Sequence, residues 1–84
     1  MSVTLHPHAQ ARLAERGATM NEVIATVESG KSSPADYGRI RFRQRFPFNA
    51  EWIGKVYAMK QIDAIAAPIN ETDWLVITVI VKFF

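Results

Sequence analysis

One segment of the chain concentrates charged side chains at a regular spacing. From residue 39 to residue 46 every second residue is an arginine, and the residues between them are mostly apolar; we call these arginines the arginine row: Arg39, Arg41, Arg43 and Arg45. A period of two places successive side chains on opposite faces of a β-strand, so the pattern predicts four guanidinium groups on one face. Guanidinium groups donate paired hydrogen bonds to phosphate oxygens. The arginine row therefore predicts a phosphate-binding surface.

The basic character of the protein is local to this row. The 84 residues include ten Lys and Arg against eight Asp and Glu, so that without the four arginines six basic residues face eight acidic ones. Like charges on one strand face repel each other, and we expect an anionic group to offset this repulsion. An alternative explanation is a charged edge strand that prevents aggregation. Four arginines exceed what that task requires, which favours contact with phosphate.

Two histidines, His6 and His8, come just before the first predicted helix. Imidazole titrates near neutral pH, so it suits the role of a general base or a general acid. The positive end of a helix disfavours a protonated His8 and so favours its neutral, basic form. The alternative is a histidine that caps the helix or lies in solvent.

Several function classes are excluded by composition. The chain has no cysteine, and two histidines one residue apart cannot form a closed tetrahedral zinc site. No glycine-rich phosphate loop is present, so neither a metal nor a cofactor is expected. The N-terminus does not resemble a signal peptide, and the apolar run at residues 74–81 is too short for a membrane span. We expect one cytoplasmic domain over residues 1–84, without membrane association.

Two helices are predicted ahead of the arginine row. Pro7 is typical of a first helical turn and Gly17 of a helix end, so a first helix is expected between them. Thr19 followed by Glu22 is a capping-box pair, and apolar residues at helical spacing lead from there to Gly30.

Four strands are predicted after a loop at residues 31–38. They lie at residues 39–46, 52–60, 61–69 and 74–84, with a turn at residues 70–73. Strict alternation in the last strand places one apolar set toward the helices, and the other face carries Trp74, Val76, Thr78, Ile80, Lys82 and Phe84. We expect the arginine row to share this second face, which is turned away from the helices. The predicted fold is α+β, with two N-terminal helices packed on one face of a four-stranded antiparallel sheet.

The motifs follow one another in an order that resembles a known family. They are H-x-H-A-x-x-R-x-x-E-R-G, E-S-G, R-x-R-F-R-x-R-F, K-Q-I-D-A-I and V-I-T-V-I, and together they cover nearly the whole chain. The family is domain of unknown function 4258, grouped with the RelE/ParE-like toxins and with metal-independent ribonucleases that share a barnase-like sheet. The resemblance implies a RelE-like fold and a small bacterial toxin that cleaves RNA or acts at the ribosome, often paired with an antitoxin protein.

The resemblance also implies a set of site residues. Family members are proposed to use a histidine at the start of the first helix, a basic residue in that helix or the sheet, and a hydroxyl or basic residue on the last strand. Those positions hold His8, Arg12 or Arg16, and Thr78. His8 would then act as base or acid, Arg12 or Arg16 would neutralise the transition state, and Thr78 would contact the scissile region.

The arginine row, together with Lys60 and Lys82, would bind the RNA phosphates in this interpretation. Arg12 and Arg16 are also explained as the solvated side of a helix, and Thr78 as an ordinary strand residue. Four aromatic residues are candidates for base stacking, although in so small a domain aromatic residues mostly form core: Tyr37, Trp52, Tyr57 and Trp74.

Two other functions remain open. One is a non-catalytic module whose arginine face binds RNA or an acidic partner protein. The other is an interface protein that forms a homodimer through Phe83 and Phe84.

Overall fold

Both predicted helices are present in the computed structural model, which describes residues 1–84. The first, α1 (Pro7–Arg16), begins where the His6 Nδ1 atom accepts a hydrogen bond from the backbone N–H of His8 at 3.1 Å. It ends at Gly17, whose φ of 77° is a left-handed conformation that glycine adopts without strain. His6 is therefore a helix cap, one of the alternatives that the sequence left open.

The second helix, α2 (Met20–Ser29), has the predicted capping box. Thr19 Oγ1 accepts a hydrogen bond from the backbone N–H of Glu22 at 3.2 Å, and Glu22 Oε1 accepts one from the backbone N–H of Thr19 at 2.9 Å. Both interactions satisfy amide groups that have no partner within the helix.

The helices cover one face of a five-stranded sheet. The strands are β1 (Ser2–Leu5), β2 (Lys31–Pro34), β3 (Ile40–Trp52), β4 (Lys55–Pro68) and β5 (Asp73–Phe83). Their order is β1-β5-β4-β3-β2, with β1 parallel to β5 and the other pairs antiparallel. The α+β class is confirmed, but the prediction of four strands, all antiparallel, was wrong.

The two unpredicted strands are short and lie at the edges of the sheet. β1 pairs with the first four residues of β5, and β2 pairs with the first four residues of β3. β2 lies in the segment predicted as a loop from its Ser-Ser-Pro composition. An edge strand tolerates Pro34 because one side of such a strand makes no ladder hydrogen bonds, so the N–H group that proline lacks is not required there.

The central hairpin is longer than predicted. Pro47 does not end β3, because a bulge between Pro47 and Ala50 absorbs the irregularity and the pairing continues to Trp52. The chain reverses at Ile53 and Gly54, and the two strands predicted at residues 52–60 and 61–69 are the single strand β4.

A second bulge changes the facing of residues in β5. Thr78 lies opposite Ile65 while Val76 lies opposite the next residue, Ala66, which leaves Ile77 as an extra residue. Trp74 and Val76 consequently lie on the helix side of the sheet, the same side as Val79, Val81 and Phe83. The prediction that Trp74 and Val76 share a face with Thr78 was wrong for this reason.

The core lies between the helices and β3, β4 and β5. Leu13 of α1 and Val23 and Val27 of α2 pack in one cluster with buried strand residues, including Ile62 and Val79. Neither helix is long and apolar enough to cross a membrane. The other face of the sheet is left without a covering layer.

The turn at Ile53 generates a testable expectation. Ile53 has a φ of 47°, precedes Gly54 with a φ of 79°, and is 83% exposed. Positive φ at both central residues is the type I′ geometry that favours Asn-Gly, and a β-branched residue is strained there. We expect Ile53→Asn to raise the free energy of unfolding by about 1 kcal/mol, measured by urea denaturation.

The matched control is Ile53→Val, which keeps the β-branch and the strain. It should leave the free energy of unfolding close to that of the wild-type protein. Equal stability of Ile53→Asn and Ile53→Val would show that the turn is not strained.

Candidate functional site

The sheet face turned away from the helices, which we call the free face, carries the arginine row. Arg41 is opposite Ile65, which in turn is opposite Thr78, so these three side chains share one face. Arg43 is opposite Asp63 in the next row across the sheet. The expectation that the arginines and Thr78 lie on one face, away from the helices, agrees with this register.

The strand that carries the row is interior only where β2 pairs with it. β3 lies between β2 and β4 over Ile40–Arg43, and beyond Arg43 only β4 pairs with it. A charged edge strand that blocks aggregation therefore does not explain Arg41 and Arg43.

Asp63 is the anionic group that compensates positive charge in the arginine row. Its side chain is 7% exposed, and its carboxylate accepts two hydrogen bonds from Arg43, at 2.7 Å from Nε and 2.9 Å from Nη2. These hydrogen bonds and the charge of Asp63 raise the pKa of Arg43 above its usual range. The Nε atom of Arg41 lies 3.9 Å from the same carboxylate and is buried without a hydrogen-bond partner. One carboxylate thus holds two neighbouring guanidinium groups.

The two ends of the row are held by weaker contacts. Arg45 Nε donates to Gln61 Oε1 at 3.1 Å, and its guanidinium carbon lies 5.7 Å from the ring centroid of Phe84. Arg39 lies just before β3, with its guanidinium carbon 5.8 Å from the ring centroid of Tyr37. No carboxylate pairs with either of these two guanidinium groups.

Two lysines extend the positive charge across the sheet. Lys31 on β2 is opposite Arg43, and Lys82 on β5 is opposite Gln61, the partner of Arg45. The three paired rows of the free face therefore carry five cationic side chains and one acidic one: Lys31, Arg41, Arg43, Arg45 and Lys82 against Asp63. Neither Lys31 nor Asp63 was expected in the site, although a lone aspartate in the apolar segment QIDAIAA was a signal for a charge partner.

Lys60 lies on the other side of the sheet. Its side chain is 7% exposed, and its Nζ atom donates to the backbone carbonyl oxygen of Gly17 at 2.9 Å and to Glu22 at 2.7–2.8 Å. This placement removes Lys60 from the expected RNA-binding set, because its ammonium group is committed to the helix layer.

Glu22 has a perturbed pKa as a result. Partial burial acts to raise the pKa of this carboxyl, but the hydrogen bond and charge of Lys60 and the hydrogen bonds from Thr19 outweigh burial, so the pKa is lowered. The pair joins the start of α2 to the middle of β4.

His8 and Arg12 lie in the helix layer. Both are exposed on α1, whose buried residues Ala9 and Leu13 face the sheet. The sheet separates these two side chains from the arginine row, and neither makes a side-chain hydrogen bond or ion pair. The arrangement does not bring His8, Arg12 and the arginine row together.

Arg16 and Thr78 do come together. Both line a shallow cleft of about 390 Å³ beside the outer edge of β5, along with Trp52 and Phe83. The Nη1 atom of Arg16 donates a hydrogen bond to the backbone carbonyl oxygen of Val79. β1 pairs with β5 only as far as Val76, so Arg16 occupies a backbone acceptor on the unpaired part of this edge.

Comparisons with protein-family models, with curated proteins and with solved structures gave no match.

The Lys60–Glu22 pair is expected to make a pH-dependent contribution to the free energy of unfolding. Glu22→Gln keeps the capping box but removes the countercharge of a buried ammonium group. We expect the free energy of unfolding at pH 7 to fall by about 2 kcal/mol, between the effect for a buried pair and that for an exposed one, because Glu22 is partly exposed.

The difference should depend on pH in one direction. The pKa of Glu22 is lower in the folded protein than in the unfolded chain, so its contribution is present above the unfolded value of about 4.3 and is lost as the pH falls through the folded value. Urea denaturation at pH 7 and pH 3 should therefore show a gap between wild type and Glu22→Gln that narrows in acid. Glu28→Gln, at an exposed position of α2, is the control. A gap that stays constant with pH would contradict this assignment.

Proposed function

We propose that this protein binds RNA through the free face of its sheet. The observation that carries the proposal is the concentration of five cationic side chains around one buried carboxylate on a face that no helix covers. RNA offers the matching chemistry, because a regular series of phosphates can contact several guanidinium groups at once.

The structure of the row supports binding because the central arginines are held in place. Arg43 is fixed by two hydrogen bonds to Asp63, and Arg41 lies against the same carboxylate. A guanidinium group that is already oriented loses less side-chain freedom when a phosphate binds. Asp63 neutralises one charge and leaves the other cations of the face uncompensated.

Binding without cleavage is the function that the geometry supports best. The three paired rows of the free face contain no histidine, and His8 and Arg12 lie on the other side of the sheet. General acid–base catalysis needs a group within hydrogen-bond reach of the reacting proton.

RNA cleavage is the second candidate, favoured by the cleft that Arg16 and Thr78 share. A guanidinium beside a hydroxyl can stabilise charge at a phosphate. The family resemblance points to the same activity, that of a toxin-like, metal-independent endoribonuclease.

The binding proposal is tested with Arg45→Gln. Arg45 does not touch Asp63, so its removal leaves no carboxylate unpaired. We expect weaker binding of a labelled RNA oligonucleotide in fluorescence anisotropy, and a plot of log affinity against log salt concentration that is shallower by roughly 0.7.

Lys55→Gln is the matched control, since it removes one exposed positive charge at the hairpin turn, beyond the three paired rows that carry the arginines. It should leave affinity and salt dependence nearly unchanged. Equal effects of the two substitutions would show that binding follows net charge alone, and absence of RNA binding by the wild-type protein would refute the proposal.

Cleavage is tested in the same preparation by incubating RNA with the protein in EDTA. We expect intact RNA. Cleavage that persists in EDTA and is lost in Thr78→Val or Arg16→Gln, but not in His8→Ala, would establish the Arg16–Thr78 cleft as the active site instead. Cleavage lost in His8→Ala would support the catalytic assignment made from the family resemblance.

A further inference from the structure

Two aromatic side chains on the free face are unlike the other aromatic residues of the chain. Of the nine aromatic residues, only Tyr37 and Phe84 are strongly exposed, at 91% and 46%. Trp52 and Tyr57 pack against Phe83, with ring centroids 5.2 and 5.6 Å apart. The structure therefore separates the aromatic residues that form packed clusters from two that do not.

The two exposed rings lie at opposite ends of the arginine row. Phe84 exchanges backbone hydrogen bonds with Met59, and its ring is approached by Arg45 at 5.7 Å and by Lys82 at 6.0 Å. Tyr37 precedes the row and is approached by Arg39 at 5.8 Å. The row runs over six residue-to-residue steps of extended chain from Arg39 to Arg45, on the order of 20 Å.

Tyr37 is also held in an uncommon backbone conformation. Its φ of 62° and ψ of 34° are left-handed, and Gly38 continues with a φ of 72°. This conformation belongs to the turn that joins β2 to β3, in which the backbone N–H of Ala35 donates to the carbonyl oxygen of Arg39 at 2.9 Å. The turn leaves the side chain of Tyr37 almost wholly exposed beside the arginine row.

A cleft of about 430 Å³ adjoins this ring. It is lined by Tyr37, Asp36, Arg39, Arg41 and Ile65, among others. Arg39 and Arg41 are the two cationic residues of its lining. Two cations, one exposed ring and one carboxylate acceptor match the phosphate, the base and the sugar hydroxyl or base N–H of a nucleotide.

We propose that the free face is a track for single-stranded RNA, with unpaired bases stacked on Tyr37 at one end and on Phe84 at the other. The proposal rests on the RNA-binding function proposed above. Stacking requires a free base face, which a duplex does not offer along its length. The arginines between the rings contact the phosphates of the intervening nucleotides.

The experiment measures the affinity of a short fluorescein-labelled oligoadenylate by anisotropy. We expect roughly tenfold weaker binding for each of Tyr37→Ala and Phe84→Ala, and near wild-type binding for Tyr37→Phe and Phe84→Tyr, which keep the rings. A blunt RNA duplex of equal length should bind more weakly than the single strand. Ile69→Ala, at an exposed apolar position in the β4–β5 turn, should have no effect.

Inorganic polyphosphate distinguishes stacking from charge, because it has phosphates and no bases. Calorimetric titration should show that Tyr37→Ala binds polyphosphate as the wild type does, while Arg45→Gln binds it more weakly. Oligoadenylate binding that is unchanged in both alanine variants, or a duplex that binds as tightly as the single strand, would overturn the stacking proposal while leaving the arginine face as an RNA-binding surface. If the wild-type protein binds no RNA, both proposals fail.

Discussion

The carboxylate of Asp63 between Arg41 and Arg43 is the contact on which the free face depends. Two guanidinium groups two residues apart on one strand face repel each other, and each is long enough to swing into solvent. Asp63 lies directly opposite Arg43 and draws both toward the middle of the sheet. The charge repulsion expected from the sequence is therefore reduced within the protein itself, without a bound ligand.

The same strand supplies a second ion pair on the opposite face. Lys60 and Asp63 are three residues apart in β4, so alternation points Lys60 toward the helices and Asp63 toward the free face. Each buried charge has its own partner, since an unpaired one would be strongly destabilising. β4 is therefore the strand that ties the helix layer and the arginine row to one framework, and a rigid framework is what orients a binding surface.

Much of this architecture could be predicted from local patterns. The capping box at Thr19, the end of α1 at Gly17 and the placement of the arginines on a single strand face all follow from chemistry within a few residues. The strands β1 and β2 could not be predicted in this way, because four residues have no measurable period and their pairing depends on distant partners. The bulge at Ile77 could not be predicted either. An extra residue in a uniformly apolar strand does not change the hydrophobic pattern of the sequence.

In the candidate site, too, the residues that follow from local spacing could be predicted, and those that depend on strand register could not. The arginine row was visible because its spacing is the signal, whereas Asp63 and Phe84 contribute through register, which the sequence does not reveal. Lys60 was predicted in the RNA-binding set, but it lies on the helix side of the sheet. A lysine in a strand is expected to be exposed unless its partner is known, and here the partner is Glu22 of a distant helix.

Arg16 has an architectural role that would constrain the catalytic role proposed for it from the family resemblance. β1 covers the edge of β5 only to Val76, and beyond that point the strand would present unpaired backbone groups to a neighbouring chain. The guanidinium of Arg16 donates to the Val79 carbonyl oxygen on this edge, so one of its donors is already used by the fold. Guanidinium has further donors, and those remaining can face the cleft that contains Thr78. Any phosphate bound there would meet an arginine that is fixed in position by the sheet edge, with binding and edge protection served by the same side chain.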